Sequence, residues 1–362
     1  MVSSFWKDKK VLLTGHSGFK GTWLLLYLIR MGAKVYGYSL PNKEDKFLFN
    51  SLHKDIEDKF IHREGNILDL KNFEKYINEV KPQIVFHLAA QALVRKSYVD
   101  PLETWNVNLI GSLNLLNSLK SIQKKCAVVI ITTDKVYKNR EWIYSYREND
   151  ELGGYDPYSA SKAALEIAVE SWRSSFIGKR SFQNPLIHLA SARSGNVVGG
   201  GDWSDNRIVP DCVRALHKNK PISVRNKNST RPWQHVLDPL RGYILLAENL
   251  YENPDQYSES FNFGPLQNGN RKVINLVEEV LKHWQGEWKD LEDQSSPHEA
   301  KLLSLDIEKA IYKLKWKPLW GFEECIEKTI NWYYKFYKNQ SPYQLCQNDI
   351  DDFLQSTNLI KS

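Results

Sequence analysis

The stretch VLLTGHSGFKG, residues 11–21, decides the fold of this chain of 362 residues. Its apolar start predicts a buried strand, the glycines that follow predict a tight turn, and the apolar run 23–29 predicts a helix that ends before Gly32. A strand, a glycine turn and a helix in that order present free backbone N–H groups and the positive end of a helix to a pyrophosphate. We therefore predict a dinucleotide-binding turn. The alternative is a glycine-rich turn that binds no ligand.

Three glycines, Gly15, Gly18 and Gly21, recur in this turn at three-residue spacing. Gly15 permits the tight turn, Gly18 lets phosphates approach the backbone, and Gly21 allows the helix to pack closely on the strand. This GxxGxxG spacing resembles that of the extended short-chain dehydrogenases/reductases, which include nucleotide-sugar epimerases and dehydratases. The GxGxxG of the more familiar dehydrogenases is different.

Apolar segments of strand length alternate with helical patterns over about 190 residues. Further strands are predicted at 34–38, 60–61, 83–88 and 127–131, and helices at 70–80 and 105–119. This alternation predicts an α/β fold with a doubly wound parallel (Rossmann) sheet. Beyond the apolar segment 186–189 the alternation weakens. We expect a dinucleotide-binding domain over 1–194 with later segments returning to it, a smaller substrate-binding domain over 195–345 and a polar tail over 346–362.

The composition is that of an ordinary globular protein, with 42% apolar and 25% charged residues. The sequence has no apolar run of membrane-spanning length and no secretory h-region after MVSSFWKDKK, so we predict a cytoplasmic protein without a membrane partner. Its four cysteines are far apart, which argues against a metal site and against disulfides. The net charge of +6 fits a nucleic-acid groove or a pyrophosphate site equally well. We expect no nucleic-acid partner.

Tyr158 and Lys162 stand four residues apart at a predicted helix start, so their side chains share one face. An ammonium beside a phenol stabilises the phenolate and lowers its pKa from a usual value of about 10. A phenolate can take a proton from a substrate hydroxyl while a nicotinamide takes the hydride. The alternative is a surface tyrosine and a solvated lysine.

Thr133, Asp134 and Lys135 follow the fifth predicted strand, where ligands lie in doubly wound sheets. Thr133 can hydrogen-bond a sugar hydroxyl. Asp134 is a candidate general acid if burial keeps it protonated, and is otherwise a turn residue.

Seven motifs together resemble the nucleotide-sugar 4,6-dehydratases, and among them the branch that acts on CDP-glucose. They are GHSGFKG (15–21), TTDKVY (132–137), REW (140–142), GGYDPYSASK (153–162), RSGNVVGGGDW (193–203), RPWQHVLDPL (231–240) and PHEA (297–300). The resemblance extends from Phe5 to about Trp332. It implies a homodimer formed through two helices beside the sheet.

The resemblance implies an internal redox cycle on CDP-glucose with NAD as a tightly bound cofactor. Tyr158, helped by Lys162 and Thr133, would remove the proton of the sugar 4-hydroxyl as hydride passes from carbon 4 to NAD⁺. The proton on carbon 5 and the 6-hydroxyl would then leave as water, assisted by Asp134 as general acid. Return of the hydride to carbon 6 would give CDP-4-keto-6-deoxyglucose.

Lys135 departs from the Thr-Asp-Glu of the dTDP-glucose relatives, in which the glutamate resembles the carbon 5 base. A lysine can act as this base only when neutral, so its pKa would have to fall from about 10.4. Burial and a positive nicotinamide would lower it. The alternatives are that Lys135 orients the 4-ketone or forms a structural ion pair.

Ser39 stands at the end of the second strand, where an acidic residue usually accepts the ribose hydroxyls. This leaves the choice between NAD and NADP open, although the absence of a nearby arginine favours NAD. Lys20 reaches either the cofactor or a neighbouring subunit. We expect cofactor contacts from Gly15, His16, Gly18, Phe19, Lys20, Gly21, Ser39, Asn66, Ile67, Leu88, Ala89, Ala90, Tyr158 and Lys162.

Arg231 resembles an arginine that grips the nucleotide diphosphate, a task that suits a guanidinium. Asn196 matches an asparagine that touches the same group in similar enzymes. His235 and His298 are expected to be packed or hydrogen-bonded more often than catalytic. His298 and Glu299 nevertheless stand where relatives carry base-recognising residues. The expected substrate contacts are Gln91, Arg193, Asn196, Arg207, Arg231, His235, His298 and Glu299.

Three other functions fit parts of this pattern. A dehydratase of another nucleotide sugar would differ only in its base pocket and sugar configuration. A 4-epimerase would not need a general acid at Asp134. A non-catalytic, cofactor-sensing protein on the same fold would not need Tyr158, Lys162 and Thr133 together.

Overall fold

The computed structural model describes residues 4–41, 47–178, 183–291 and 302–361, with side chains up to residue 357. The strands in these ranges are β1 (Lys10–Thr14), β2 (Lys34–Ser39), β3 (Ile61–Glu64), β4 (Ile84–His87), β5 (Cys126–Ile131), β6 (Ile187–Ser194), β7 (Val197–Val198), β8 (Ile222–Val224), β9 (Thr230–Pro232), β10 (Gln234–His235), β11 (Ser260–Phe263), β12 (Asn270–Lys272) and β13 (Trp288–Asp290).

The α-helices in the same ranges are α1 (Phe19–Arg30), α2 (Leu48–Ile56), α3 (Leu70–Val80), α4 (Val94–Val99), α5 (Pro101–Trp105), α6 (Gly111–Leu119), α7 (Pro157–Ser175), α8 (Ile208–His217), α9 (Leu237–Glu252), α10 (Pro254–Tyr257), α11 (Val273–His283), α12 (Glu308–Leu314), α13 (Phe322–Phe336) and α14 (Pro342–Lys361). No helix within the described ranges has the length and apolar character that a bilayer crossing requires.

The main sheet is parallel, and the described residues give it seven strands in the order β11-β6-β5-β4-β1-β2-β3. The order reverses beside β1, because β2 lies on one side of it and β4 on the other. Ligands bind at such a reversal, outside the carboxyl ends of the strands. The predicted doubly wound sheet is confirmed.

Apolar helices cover both faces of this sheet. One core lies under α3, α6 and α7, and the other lies under α1, α9 and α13. The inner strand β5 is buried along its whole length, which explains why its sequence, CAVVII, is apolar without alternation. This double cover fixes the carboxyl ends of the strands as the accessible edge.

The predicted helix 105–119 is not one regular α-helix. Asn106–Ile110 forms a π-helical turn between α5 and α6. The turn carries the buried Asn108, which accepts a hydrogen bond from the Gln91 backbone N–H at 2.8 Å and donates to Ser161 Oγ at 3.0 Å. A π-turn often marks a functional site, and here it ties the loop after β4 to α7.

Most of the segment predicted as a polar tail, residues 346–362, is helical in the structure. Residues 342–361 form α14, which packs against α2 and α13. Cys346, Ile350 and Phe353 are buried, and the Phe353 ring lies 5.1 Å from that of Trp320. The segment has few apolar residues, so its composition predicts a polar tail. These residues fall on one face of the helix, and that face packs against α2 and α13.

Candidate active site

One cavity of about 1570 Å³ lies at the carboxyl edge of the main sheet. The loops after β1, β2, β4, β5 and β6 open into it, together with the segments around α8 and β9. We call the part beside the β1–α1 turn the backbone half and the part beside Arg207 and Arg231 the side-chain half.

Glycines shape the backbone half. Gly15 has a φ of 73°, and a Cβ on it would lie 2.7 Å from the Ala89 nitrogen. A Cβ on Gly21 would lie 2.0 Å from the Gly15 oxygen, so the first turn of α1 fits against β1 only without a side chain. Gly18 is exposed, and its Cβ would meet nothing closer than 3.4 Å.

Gly18 is also the N-cap of α1, and no side chain caps this helix. The unpaired N–H groups of the first turn therefore face the cavity beside an open glycine. Such a cradle accepts a phosphate group. The residues present fit the diphosphate of a dinucleotide.

His16, an expected cofactor contact, is absent from the cavity lining. Its ring is fully buried under the turn, with Nε2 2.7 Å from His62 Nδ1 and Nδ1 3.2 Å from Ser39 Oγ. Burial, with the nearby His62, lowers its pKa to about 3, so the ring is neutral. Gly37 leaves room for it, because a Cβ there would lie 2.7 Å from the ring.

The other expected cofactor residues all line the cavity. They are Gly15, Gly18, Phe19, Lys20, Gly21, Ser39, Asn66, Ile67, Leu88, Ala89, Ala90, Tyr158 and Lys162.

Tyr158, Thr133 and Asp134 form a hydrogen-bonded chain in the middle of the cavity. The Tyr158 hydroxyl is hydrogen-bonded to Thr133, whose Oγ1 donates to Asp134 Oδ1 at 2.9 Å. Asp134 is 1% exposed, and its Oδ2 has no hydrogen-bond partner among the described residues. This arrangement places the Tyr158 phenol near the Asp134 carboxyl group, of which one oxygen, Oδ2, is not hydrogen-bonded to any described residue.

Lys162 lies one turn after Tyr158 on α7, as predicted, but it does not lower the phenol's pKa in the protein alone. Burial raises the pKa of Tyr158 to about 12, against the opposing effect of the Thr133 hydrogen bond. Lys162 Nζ instead donates to the Ile131 carbonyl at 3.3 Å. Burial lowers the pKa of Lys162 to about 8, so the amine is still mostly charged at pH 7 and loses its charge as the pH rises through 8.

Lys135 also lines the cavity, next to Asp134. Its Nζ lies 3.6 Å from Asp134 Oδ1, and its side chain is 27% exposed. This distance fits the ion-pair alternative. The Lys135 amine therefore lies in the same part of the cavity as Tyr158, Thr133 and Asp134.

Four of the expected substrate residues line the cavity: Gln91, Asn196, Arg207 and Arg231. Arg207 Nη1 donates to Asp202 Oδ2 at 2.8 Å. Arg231 is 8% exposed and donates to the Thr230 carbonyl at 3.0 Å. Two guanidinium groups that line one cavity suit a diphosphate.

Arg193 and His235, two of the expected substrate contacts, lie outside the cavity lining. Arg193 donates to Glu166 Oε2 and to the Tyr137 hydroxyl, both at 2.8 Å, because the buried Glu166 carboxylate needs a counter-charge. The His235 ring is buried 4.7 Å from that of Trp320, and burial lowers its pKa to about 3. His298 and Glu299 lie outside the described residues.

The cavity lining also includes residues that the sequence analysis did not name, among them Ser17, Ser194 and Arg225. Ser17 Oγ lies 2.9 Å from Ser39 Oγ, and Ser194 adjoins Lys20. Ser17 stands in the motif GHSGFKG and Ser194 in RSGNVVGGGDW, so their place in these motifs could have identified them as cavity residues. Arg225 lines the cavity and donates to Asp211 at 3.2 Å, but it belongs to no motif.

A glycine cradle on a parallel sheet, facing a tyrosine and a lysine on one helix turn, defines a dinucleotide-dependent enzyme of the short-chain dehydrogenase/reductase class. A family model described as GDP-mannose 4,6 dehydratase matches residues 12–329. The chain belongs to this family of nucleotide-sugar dehydratases, which confirms the resemblance read from the motifs.

The comparisons with individual proteins agree. CDP-glucose 4,6-dehydratase of Salmonella typhimurium is 41% identical over 357 residues, which are 98% of each chain. A UDP-glucose 4-epimerase of Thermus thermophilus, solved in complex with NAD, has a TM-score of 0.77 at 22% identity and covers 90% of this chain and 98% of its own. A dTDP-glucose 4,6-dehydratase of Bacillus anthracis, also solved with NAD, has a TM-score of 0.74 at 21% identity, with 93% and 100% covered. At these identities, the two solved structures support the fold.

Proposed function

We propose that this protein is an NAD-dependent CDP-glucose 4,6-dehydratase, a hydro-lyase that converts CDP-glucose to CDP-4-keto-6-deoxyglucose and water. The observation that carries this function is the chain Tyr158–Thr133–Asp134 with its spare carboxyl oxygen. An oxidation needs the phenol, and an elimination needs the acid beside it. The choice of CDP-glucose is supported by the 41% identity to the Salmonella typhimurium enzyme over nearly the whole chain.

The backbone half is the proposed site of NAD, with the diphosphate at Gly18 and at the first turn of α1. When bound, NAD supplies a positive nicotinamide ring that accepts a hydride and returns it. Ser39 and Ser17 offer hydroxyls, where an acidic residue is usual, to the adenosine ribose. Both serines lie at the carboxyl edge of the sheet, next to the glycine turn.

The protein's own residues then move the protons. As a phenolate, the form that the positive nicotinamide and the Lys162 ammonium would favour, Tyr158 removes the 4-hydroxyl proton as the hydride leaves carbon 4. Thr133 keeps the phenol oxygen in position. The 4-ketone acidifies carbon 5, whose proton leaves while Asp134 protonates the departing 6-hydroxyl. Return of the hydride to carbon 6 and of a proton to carbon 5 balances the reaction, with one water lost.

Lys135 is proposed as the group that removes the carbon 5 proton. Its amine lies beside the acid that assists loss of the 6-hydroxyl. The base must be neutral for this step, so proton transfer from Lys135 to a neighbour has to precede it. The competing role is to orient the 4-ketone as an ammonium.

We also propose that residues 1–194 bind NAD and residues 195–345 bind the nucleotide sugar. The free, buried state of Cys126, Cys212, Cys325 and Cys346 is consistent with a cytoplasmic location. A homodimer through helices beside the sheet is supported by the exposed Ile110 and Ile167, on the π-turn and α7.

An assay with CDP-, GDP-, UDP- and dTDP-glucose tests the function. We expect a 4-keto-6-deoxy product, detected by its absorption in alkali, from CDP-glucose at a rate well above that from the other three. A higher rate with another nucleotide sugar would show that this protein is a dehydratase of that nucleotide sugar instead. An epimerised sugar with no loss of water would refute the proposal.

A further inference from the structure

Glu166 is a buried carboxylate behind the active site, and the proposed reaction gives it no role. It lies on α7 one turn after Lys162 and two turns after Tyr158, and it is 3% exposed. It is absent from the residues that line the cavity, so it does not meet the substrate directly. Removing a carboxylate from water is costly unless its oxygens are hydrogen-bonded and its charge is balanced. The contacts of this group therefore show what it holds in place.

Donors from three adjacent strands of the sheet surround the Glu166 carboxylate. Thr132, the residue after β5, donates through Oγ1 to Oε1. Ser191 and Arg193 of β6 donate to Oε2 at 2.7 and 2.8 Å, and Ser260 of β11 donates to the same oxygen at 3.3 Å. The β6 and β11 contacts anchor the carboxylate to the interior of the fold. The Thr132 contact connects it to the strand end that carries the active site.

Three side chains of α7 at one-turn spacing contact three consecutive residues at the end of β5. The pairs are Tyr158 with the Thr133 hydroxyl, Lys162 with the Ile131 carbonyl and Glu166 with the Thr132 hydroxyl. Thr133 also donates to Asp134, the proposed general acid. Because Thr132 and Thr133 are neighbours in the chain, a shift of Thr132 displaces the group that holds the phenol. The Glu166 contact therefore fixes the strand end that positions both the acid and the tyrosine.

The Glu166 carboxylate also acts on Lys162 as an opposite charge. Burial raises the pKa of Glu166, but the Arg193 guanidinium and the hydrogen bonds to the carboxylate bring it below its usual value, so the group is ionised. Burial lowers the pKa of Lys162, and Glu166 opposes this effect. His87 on β4 is neutral, because burial lowers its pKa to about 3, and Lys20 on α1 is a like charge. The negative charge that favours the Lys162 ammonium therefore comes from Glu166.

We propose that Glu166 is a positioning residue for the catalytic residues Tyr158 and Lys162. It ties the end of β5 to α7 through Thr132, and its negative charge keeps Lys162 in the ammonium form. Arg193 holds the carboxylate in place from β6. The inference rests on the proposed function, because that function gives Tyr158 and Lys162 their roles in the oxidation. An uncharged group at position 166 would disfavour the phenolate, because the ammonium that stabilises it would be lost at a lower pH.

Two variants separate the tie to β5 from the other contacts of the carboxylate. Thr132→Val and Ser191→Ala each remove one buried hydroxyl that donates to Glu166, so they should destabilise the protein to a similar extent. Thr132→Val loosens the strand end that carries Thr133, and we expect kcat for CDP-glucose to fall by about tenfold or more. Its KM and its retained NAD should stay within about twofold of the wild-type values. Ser191→Ala, and Thr132→Ser, which keeps the hydroxyl, should hold kcat within about threefold of the wild type.

A second measurement reads the charge on Lys162 without catalysis. The protein with its retained NAD is labelled with carbon-13 on the lysine ε-carbons, and each signal is followed by nuclear magnetic resonance as the pH is raised. Lys162→Met identifies the Lys162 signal by its absence. Glu166→Gln keeps a hydrogen-bonding side chain of the same size without the charge, and we expect the Lys162 pKa to fall by about one unit or more. Thr132→Val retains the carboxylate, so its Lys162 pKa should match that of the wild type.

The proposal is overturned if Thr132→Val and Ser191→Ala have the same kcat within about twofold, or if Glu166→Gln leaves the Lys162 pKa at its wild-type value. A melting curve shows whether Glu166→Gln is folded. If it is not, Glu166→Gln combined with Arg193→Met makes the same measurement, because removal of both partners leaves neither charge buried alone. The lysine titration needs no turnover. A wild type that converts no nucleotide sugar would therefore refute the proposed function, while the titration still decides the role of the Glu166 charge.

Discussion

The two halves of the cavity are built in different ways. In the backbone half, the glycine turn offers N–H groups, and three glycines keep the space clear. In the side-chain half, Arg207 and Arg231 project from segments around α8 and β9. A backbone site depends on where side chains are missing, and a side-chain site depends on which way each side chain points.

Tyr158 lies between the two halves, and its replacement should have the largest effect. Tyr158→Phe removes the proton acceptor for the 4-hydroxyl but keeps the ring, so we expect turnover of CDP-glucose to fall by about 10³-fold or more. NAD content and CDP affinity should stay near the wild-type values, because neither half has changed. Near wild-type turnover would show that another group takes this proton.

Replacing Arg193 and replacing Arg231 should have opposite effects on stability and on substrate binding. Arg193→Ala leaves the buried Glu166 carboxylate without its partner at 2.8 Å, so we expect a loss of about 3–5 kcal/mol in the free energy of unfolding. Arg231→Ala should raise the KM for CDP-glucose about 10- to 100-fold with little change in stability. Denaturant unfolding and steady-state kinetics on both variants give the comparison. A raised KM with unchanged stability in Arg193→Ala would show that Arg193 binds the substrate.

Two glycines make the same separation in the backbone half. Gly21→Ala forces a methyl group to within 2.0 Å of the Gly15 oxygen, so we expect a loss of about 1–3 kcal/mol of stability. Gly18→Ala meets nothing closer than 3.4 Å, so stability should change by less than about 0.5 kcal/mol. The purified Gly18→Ala protein should nevertheless lose its NAD. Retention of NAD there would place the phosphates elsewhere.

The pH dependence of stability tests the packing beneath the backbone half. Burial lowers the pKa of His16 to about 3, whereas an exposed histidine titrates near 6.5. The unfolded chain therefore binds a proton first as the pH falls, and the folded protein loses stability below about pH 6.5. We expect His16→Gln to remove about 1.4 kcal/mol per pH unit from the slope between pH 6 and pH 4. An unchanged slope would mean that the ring is charged in the folded protein.

The backbone half and the sheet could be predicted because their causes are local. Buried parallel strands such as β5 read as apolar runs, and the glycine spacing records where no side chain fits. The orientation of the His16 ring could not be predicted in this way, because the motif does not determine which way the ring points. The ring turns inward to Ser39 and His62, and only the packing around Gly37 shows why.

The side-chain half was harder to predict because its residues are brought together by distant segments. Arg193 and Arg231 both stand in recognisable motifs, yet one pairs with Glu166 and the other lines the cavity. That difference depends on a carboxylate 27 residues away from Arg193. Arg225 had no motif at all, so only the fold could bring it to this wall.

The central claim is that one hydride leaves and re-enters the same sugar, and an isotope measures it directly. CDP-glucose that carries deuterium on carbon 4 is converted by the purified enzyme without added NAD, and the product is analysed by nuclear magnetic resonance. The account predicts a 4-keto-6-deoxy product with that deuterium on carbon 6. A product whose carbon 6 has gained only solvent hydrogen, or an oxidised sugar that has lost no water, would contradict it.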